Sequence, residues 1–289
     1  MTLAHLISLA VTVSMAGLLL AVALRTDFDD LTYLLRQPSL LVRSVLAMNV
    51  IMPLFALALM LAASIHLQRA VEVALVAMAL GPVPPILPRK ELKAGGARSY
   101  TMGLLASSAV VSIFFVPLAA ALLGDMFHKS VDVSVANVAS IVATWMLLPL
   151  LIGATVRKLA PHLADSLAKP IRLASSGLLV LAFLPVLVKE WPKMLALVGN
   201  FTLVAIVAFV LVGLAVGHLL GGPDPEDRTV LALSTATRHP AVAMAILHGD
   251  PDPSSAFAAV LLVLIVGGIA SAPYSKWRAR VRAGVSTPT

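Results

Sequence analysis

Arg238 and His239 stand side by side inside an otherwise apolar run, TVLALSTATRHPAVAMAILHG. A fixed cation at the centre of a membrane-crossing segment costs about 2.5–3.5 kcal/mol on the lowest estimates, so it is kept where it faces a cavity or a partner. Three readings of Arg238 stand together. It binds a substrate carboxylate, sulfonate or sulfate, with two parallel hydrogen bonds available to a guanidinium. Its fixed charge stands in for a bound cation. Or it ties down backbone carbonyls freed by Pro240. His239 has the chemistry of a proton carrier, or it caps the interrupted backbone, which is the preferred reading. Ser234, Thr235 and Thr237 add hydroxyls to the same run.

A second run, VEVALVAMALGPVPPILPRKEL, carries Gly81, Pro82, Pro84, Pro85 and Pro88 within eight residues. Proline has no N–H and clashes with the preceding turn, so no continuous helix survives there. Arg89 and Lys90 follow directly, either lining a cytoplasmic mouth or anchoring the chain at the interface. Glu91 is expected to pair locally with one of these cations. Asn49 lies close to Pro53 in an early apolar run and contacts the interruption or makes an interhelical hydrogen bond. Ser107, Ser108 and Ser112, with Thr12, Ser14 and Gly17, read as small residues that let helices approach closely. His248, Asp250 and Asp252 fall in a proline-rich segment read as a turn with an Asp cap rather than a metal site.

The elements that position these residues follow from composition. The 289 residues are 60% hydrophobic and only 12% charged, with mean hydropathy +0.98. A soluble domain carries about 25% charged residues, so this chain lacks the polar cover that water demands. There is no cysteine, which excludes disulfides, thiolate metal sites and cysteine nucleophiles. A spanning helix needs about 20 mostly apolar residues. Nine runs qualify: 3–24, 39–63, 69–87, 100–124, 133–156, 171–188, 197–220, 229–248 and 254–275. The first has no preceding Lys or Arg and is too long for a signal peptide's apolar region, so it reads as a span.

The cations support this count. With the N-terminus outside, 14 of the 21 Lys and Arg residues fall on the cytoplasmic side, 4 outside and 3 within spans. That bias is the positive-inside pattern and explains the net charge of +7 without nucleic acid. The tail 276–289 is basic, then small and polar, and is expected to lie disordered at an anionic leaflet. If the fifth span, 133–156, is a connector, residues 3–124 and 171–275 form two four-helix halves of inverted orientation. The interrupted spans are third in each half, and interruptions at matching places point to a transporter's binding site.

Four stretches carry a resemblance to the bile acid:sodium symporter family. They are Asn49–Leu54 (NVIMPL), Gly81–Pro88, Leu147–Arg157 (LLPLLIGATVR) and Leu233–Ile246 (LSTATRHPAVAMAI). The resemblance runs over roughly residues 5–275 and lies in the order of degenerate motifs and spans. It implies an all-α membrane protein with a panel domain from spans 1, 5 and 6 and a core domain from the others. Substrate would lie in a crevice between them, and core would move against panel. Together with the two interrupted runs, it points to Arg238, His239, Ser234, Thr237, Asn49, Pro82 and Pro85 as the candidate binding group. It also marks where the chain departs from the pattern. Ser234 stands at the family's sodium-binding Glu position and Arg238 at its Gln. The first break continues as Ile86, Leu87, Pro88, Arg89 and Lys90, where the family has a Ser-Asn pair. Thr101 keeps one hydroxyl, while Leu105 replaces another. Ser234 and Thr101 are therefore remnant sodium ligands at most.

The resulting expectation is a multi-pass plasma-membrane carrier of small organic anions, not an enzyme, with no cofactor. Its sodium coupling is doubtful, and sodium-independent or proton-coupled transport is the alternative. An intramembrane hydrolase would need an HExxH or a deep Asp pair, and the sequence has neither. A channel would favour a ring of like residues rather than two inverted halves.

Overall fold

The computed structural model describes residues 3–62, 67–124, 135–247 and 251–285. Every regular element among them is helical. In chain order the α-helices are α1 (Leu3–Ala23), α2 (Phe28–Leu31), followed by a 3-10 turn at Tyr33–Arg36, α3 (Pro38–Val45), α4 (Met52–Leu61), α5 (Arg69–Leu80), α6 (Leu87–Lys93) and α7 (Arg98–Gly124). Then follow α8 (Val135–Val142), α9 (Leu148–Leu159), α10 (Pro161–Ala196), α11 (Thr202–Leu220), α12 (Pro225–Ala236), α13 (Pro240–Leu247), α14 (Pro253–Ala270) and α15 (Ala272–Val285). Widened π-helical turns join α3 to α4 at Leu46–Ile51 and α8 to α9 at Ala143–Leu147.

Seven stretches among the described residues are long and apolar enough to cross a membrane: Leu6–Ala23, Pro38–Leu61, Arg98–Leu123, Val135–Leu159, Pro161–Ala196, Thr202–Leu220 and Pro253–Gly284. They coincide with seven of the nine expected spans. The third and eighth are the interrupted ones. Leucines on the outer surface are well exposed, Leu181 at 72% and Leu219 at 79%. That surface suits hydrocarbon rather than water.

Both interruptions have a local cause. After α5 the chain is irregular from Gly81 to Ile86, where Pro82, Pro84 and Pro85 withhold three donors. It becomes helical again with Pro88 in the first turn of α6, a position where the missing N–H costs nothing. After α12 the backbone turns extended at Thr237 (φ −129°, ψ 122°). Pro240 disfavours helix at the residue before it and then opens α13.

Two groups of helices pack together through small residues. α1 lies along α10 and α9. A Cβ on Gly17 would sit 2.1 Å from the Ser175 Oγ, and one on Gly153 would meet the α1 backbone at 2.9 Å. In the other group α11 runs against α12, and α5 is enclosed by α4, α13 and α14. A Cβ on Gly217 would lie 2.4 Å from the Leu231 carbonyl oxygen, and one on Gly213 would lie 2.9 Å from the Ala236 Cα. Such contacts bring backbones closer than any larger residue permits.

Two boundaries differ from the sequence reading. The sixth span is not confined to 171–188, because α10 runs for 36 residues. At 1.5 Å per residue this is about 54 Å, well beyond a hydrocarbon core of about 30 Å. His162, Asp165 and Lys169 end the apolar run but are compatible with helix, so hydropathy underestimates its length. The tail is also not disordered from Lys276. It is helical to Val285, and Arg278 is buried, donating from Nε to the Thr229 Oγ1 at 2.7 Å and from Nη2 to the Pro225 carbonyl at 2.6 Å. These contacts dock the helix on the start of α12, which a reading of the tail's composition does not reveal.

Candidate functional site

The two interrupted segments meet through their backbones. The His239 N–H donates to the Pro82 carbonyl at 2.9 Å. A Cβ on Gly81 would lie 3.0 Å from the His239 carbonyl oxygen, so glycine is what allows this approach. The Val83 N–H donates to the Ser108 Oγ of α7 at 3.3 Å. Irregular backbone in a membrane protein must find its partners inside the protein, and here each break helps to satisfy the other.

Arg238 joins these segments to a third. Its side chain is almost wholly buried, at 1% exposure. Nη1 donates to the Gly81 carbonyl at 3.2 Å and Nη2 to the Met48 carbonyl. Both acceptors are free for physical reasons. Gly81 ends α5. Met48 lies in the π-helical turn, where a carbonyl bonds the N–H five residues on. That residue is Pro53, which has no N–H. The guanidinium therefore fills two backbone vacancies created by proline.

A carboxylate lies in the same core. Glu91 of α6 is fully buried, and its Oε1 accepts a hydrogen bond from the Ser234 Oγ at 2.5 Å. The Thr101 hydroxyl adjoins it from α7. The Glu91 Oε2 and the Thr101 Oγ1 are buried without a hydrogen-bond partner among the described residues. Glu91 does not pair with a neighbouring cation, contrary to the sequence reading. Its neighbour Lys90 reaches away to the Ser271 Oγ at 2.6 Å, and Arg89 is exposed. No local signal marks Glu91 as a core residue, because its partner lies 143 positions away.

The remaining expected residues spread around this centre. Pro82 is buried and supplies the carbonyl that His239 uses. His239 is itself buried. Thr237 is partly buried at the end of α12. Asn49 is partly buried and lines a small recess with Ser44, Ser107 and Ser108. Of the outer group, Asp252 caps α14 by accepting from the Ser255 N–H at 3.1 Å, and hydrogen bonds from the Ser255 hydroxyl and backbone N–H hold its carboxyl below its ordinary range. His248 and Asp250 lie outside the described residues.

A cavity of about 360 Å³ opens between the two helix groups. Leu18, Ala21 and Val22 of α1 form one wall, with Ala168, Arg172 and Ser176 of α10. Opposite stand Pro85 and Ile86 of the first break, Arg89, Leu92 and Lys93 of α6, and Arg98 and Met102 of α7. Arg25 and Thr26 complete the lining, and none of the lining residues is acidic. Of the residues expected to bind substrate, the structure brings Pro85 to this cavity. Arg238, His239, Ser234, Thr237, Asn49 and Pro82 are not among those lining it. Arg25, Lys93, Arg98 and Arg172 were not singled out in the sequence, because until the helices converge the first three are ordinary loop cations and Arg172 falls at the very start of the sixth expected span.

Seven long apolar helices and a core of paired broken segments define a multi-pass integral membrane protein. Residues 12–190, more than half of the chain, match the Sodium Bile acid symporter family, and the chain belongs to it. Membership makes it a symporter-like membrane transporter. The matched stretch includes the first break and ends before the second. No curated protein matches the chain.

Proposed function

We propose that this protein is a secondary carrier of small organic anions that works by alternating access. The observation that carries the reading is the cavity between the α1–α9–α10 group and the helices around the breaks, with five cations and no acid in its lining. In this reading nine segments cross the membrane, in two inverted halves with 133–156 as connector. The α1–α9–α10 group is the panel. The core slides against it and exposes the cavity to each side in turn. The N-terminus lies outside and the basic end faces the cytoplasm.

The family implies sodium as co-substrate, and the residues here fit one ion better than two. Sodium takes hard oxygen ligands and favours a compensating carboxylate. Glu91, Ser234 and Thr101 supply such a set, with the Glu91 Oε2 and Thr101 Oγ1 making no geometric hydrogen bond among the described residues. The other position holds Arg238, whose guanidinium already bonds the Gly81 and Met48 carbonyls. In this reading a fixed charge replaces one ion, and coupling is to a single cation or to none.

Uptake of a panel of radiolabelled organic anions into proteoliposomes, with and without a sodium gradient, tests both statements. Saturable uptake of an anion is expected. No uptake of any anion in either condition would overturn the carrier reading. Uptake that rises as the second power of sodium concentration would overturn the assignment of Arg238.

A further inference from the structure

The cavity's charge goes beyond what a singly charged organic anion needs. Four guanidiniums and one ammonium converge on it from separate parts of the fold: Arg25 past α1, Arg89 and Lys93 on α6, Arg98 on α7 and Arg172 on α10. Like charges gathered in one concavity repel unless a counter-charge separates them, and no lining carboxylate does so. Arginine predominates, and its planar fork matches the oxygens of phosphate-type groups with paired hydrogen bonds. The Arg98 Nη1 already donates to the Arg25 carbonyl at 2.6 Å, which holds two of these residues side by side. The rest of the lining is largely aliphatic. At about 360 Å³ the space is at the small end of ligand sites.

We propose that the transported anion carries a head group with two or more negative charges, of the phosphate monoester kind, on a compact apolar body. The head sits among Arg25, Arg89, Lys93, Arg98 and Arg172, and the body lies against the aliphatic wall of α1. This deepens the organic-anion reading and rests on it. A monoester differs from a membrane phospholipid in a decisive way, because a phosphodiester head such as phosphatidylglycerol has only one charge on its phosphate. The second ionisation of a phosphate monoester lies near pH 6, so the ligand's own charge can be switched while its shape stays the same.

The experiment uses the full chain, purified and reconstituted in neutral phosphatidylcholine vesicles. Binding and uptake of hexyl phosphate, hexyl sulfate and hexanoate are compared at pH 7.5, and hexyl phosphate is compared again at pH 5. Hexyl phosphate at pH 7.5 is expected to bind about tenfold or more tightly than the two monoanions, the gain from one more charge-assisted hydrogen bond. The preference should shrink at pH 5. Arg25→Gln and Arg172→Gln, on different elements, should each reduce the preference. Arg280→Gln, an exposed cation outside the cavity, should leave it intact although it removes the same charge. Equal binding and uptake of all three probes would overturn the proposal while leaving an organic-anion carrier. Absence of uptake of every probe and of a wider anion panel would remove the carrier reading itself. Displacement of hexyl phosphate by an equal concentration of phosphatidylglycerol, with no uptake, would overturn the proposal by assigning the cavity to a lipid head group.

Discussion

Replacing Gly217 by alanine tests how the second break is held. A Cβ there would lie 2.4 Å from the Leu231 carbonyl oxygen, 2.5 Å from the Ala232 Cα and 2.6 Å from the Ala232 nitrogen. All three are backbone atoms of α12, so no rotamer change relieves the clash. Ordinary carbon contacts begin near 3.5 Å, and α11 and α12 must therefore separate by about 1 Å. Overpacking of this kind costs about 1–3 kcal/mol, and rigid backbone places it at the upper end. Alanine's better helix propensity offsets at most about 1 kcal/mol, which leaves a net loss of about 2 kcal/mol. Gly268 in α14 is the control, since a Cβ there meets nothing within 4 Å. Gly268→Ala should be neutral or should stabilise by up to about 1 kcal/mol. The displacement also reaches the core group, because Ser234 lies two residues beyond Ala232 on α12 and holds Glu91 at 2.5 Å. Gly217→Ala is therefore expected to lose uptake as well as stability. Chemical unfolding in detergent and uptake in proteoliposomes measure the two effects. If Gly217→Ala is as stable as Gly268→Ala and transports normally, the close packing of α11 on α12 does not position the break, and the argument fails.

Three further outcomes follow from the same geometry. Arg238→Met removes the donor to the Gly81 and Met48 carbonyls, each worth about 1–3 kcal/mol when left unsatisfied. Relief from holding a buried charge offsets much of that loss, so uptake should fall about tenfold or more with a smaller change in unfolding, and normal uptake would refute its role. Glu91→Gln keeps an oxygen for Ser234 and removes the charge. Any sodium stimulation of uptake should disappear while folding is retained, and an unchanged sodium titration would exclude Glu91 as the ion's carboxylate. At the start of α12, burial, with Asp224 and Glu226 adding to it, pushes the Asp227 carboxyl up from 3.8 to about 6. The folded state thus binds its proton more tightly than the unfolded chain does. The associated stability is present below about pH 4 and is lost as pH rises through 6. Asp227→Asn should flatten that part of the profile, as read from melting temperatures at pH 4, 5, 6 and 7.

The two breaks were legible because their causes are local. A cluster of prolines at Pro82, Pro84 and Pro85, and a proline after His239, interrupt a helix whatever surrounds them. The ends of elements were less legible. Polar residues between Pro161 and Lys169 stop an apolar run without stopping α10. Lys276 and Arg280 resemble a free tail, yet Arg278 anchors that stretch to Thr229 and Pro225. Arg238 was prominent as a charge in an apolar run, but its surroundings were not. Its partner in the π-helical turn is 190 positions away.

By itself the sequence determined the class of protein, the positions of its apolar segments and the two places where they cannot be continuous. These depend on the hydropathy and backbone chemistry of neighbouring residues. Only the tertiary structure decided what each charge does. It turned Glu91 inward to Ser234 and gave Arg238 the carbonyls that Pro53 and the first break leave free. It also gathered Arg25, Arg89, Lys93, Arg98 and Arg172 around one cavity. Hydropathy is summed along the chain, whereas a buried charge must find its partners across space, and that pairing exists only once the helices have packed.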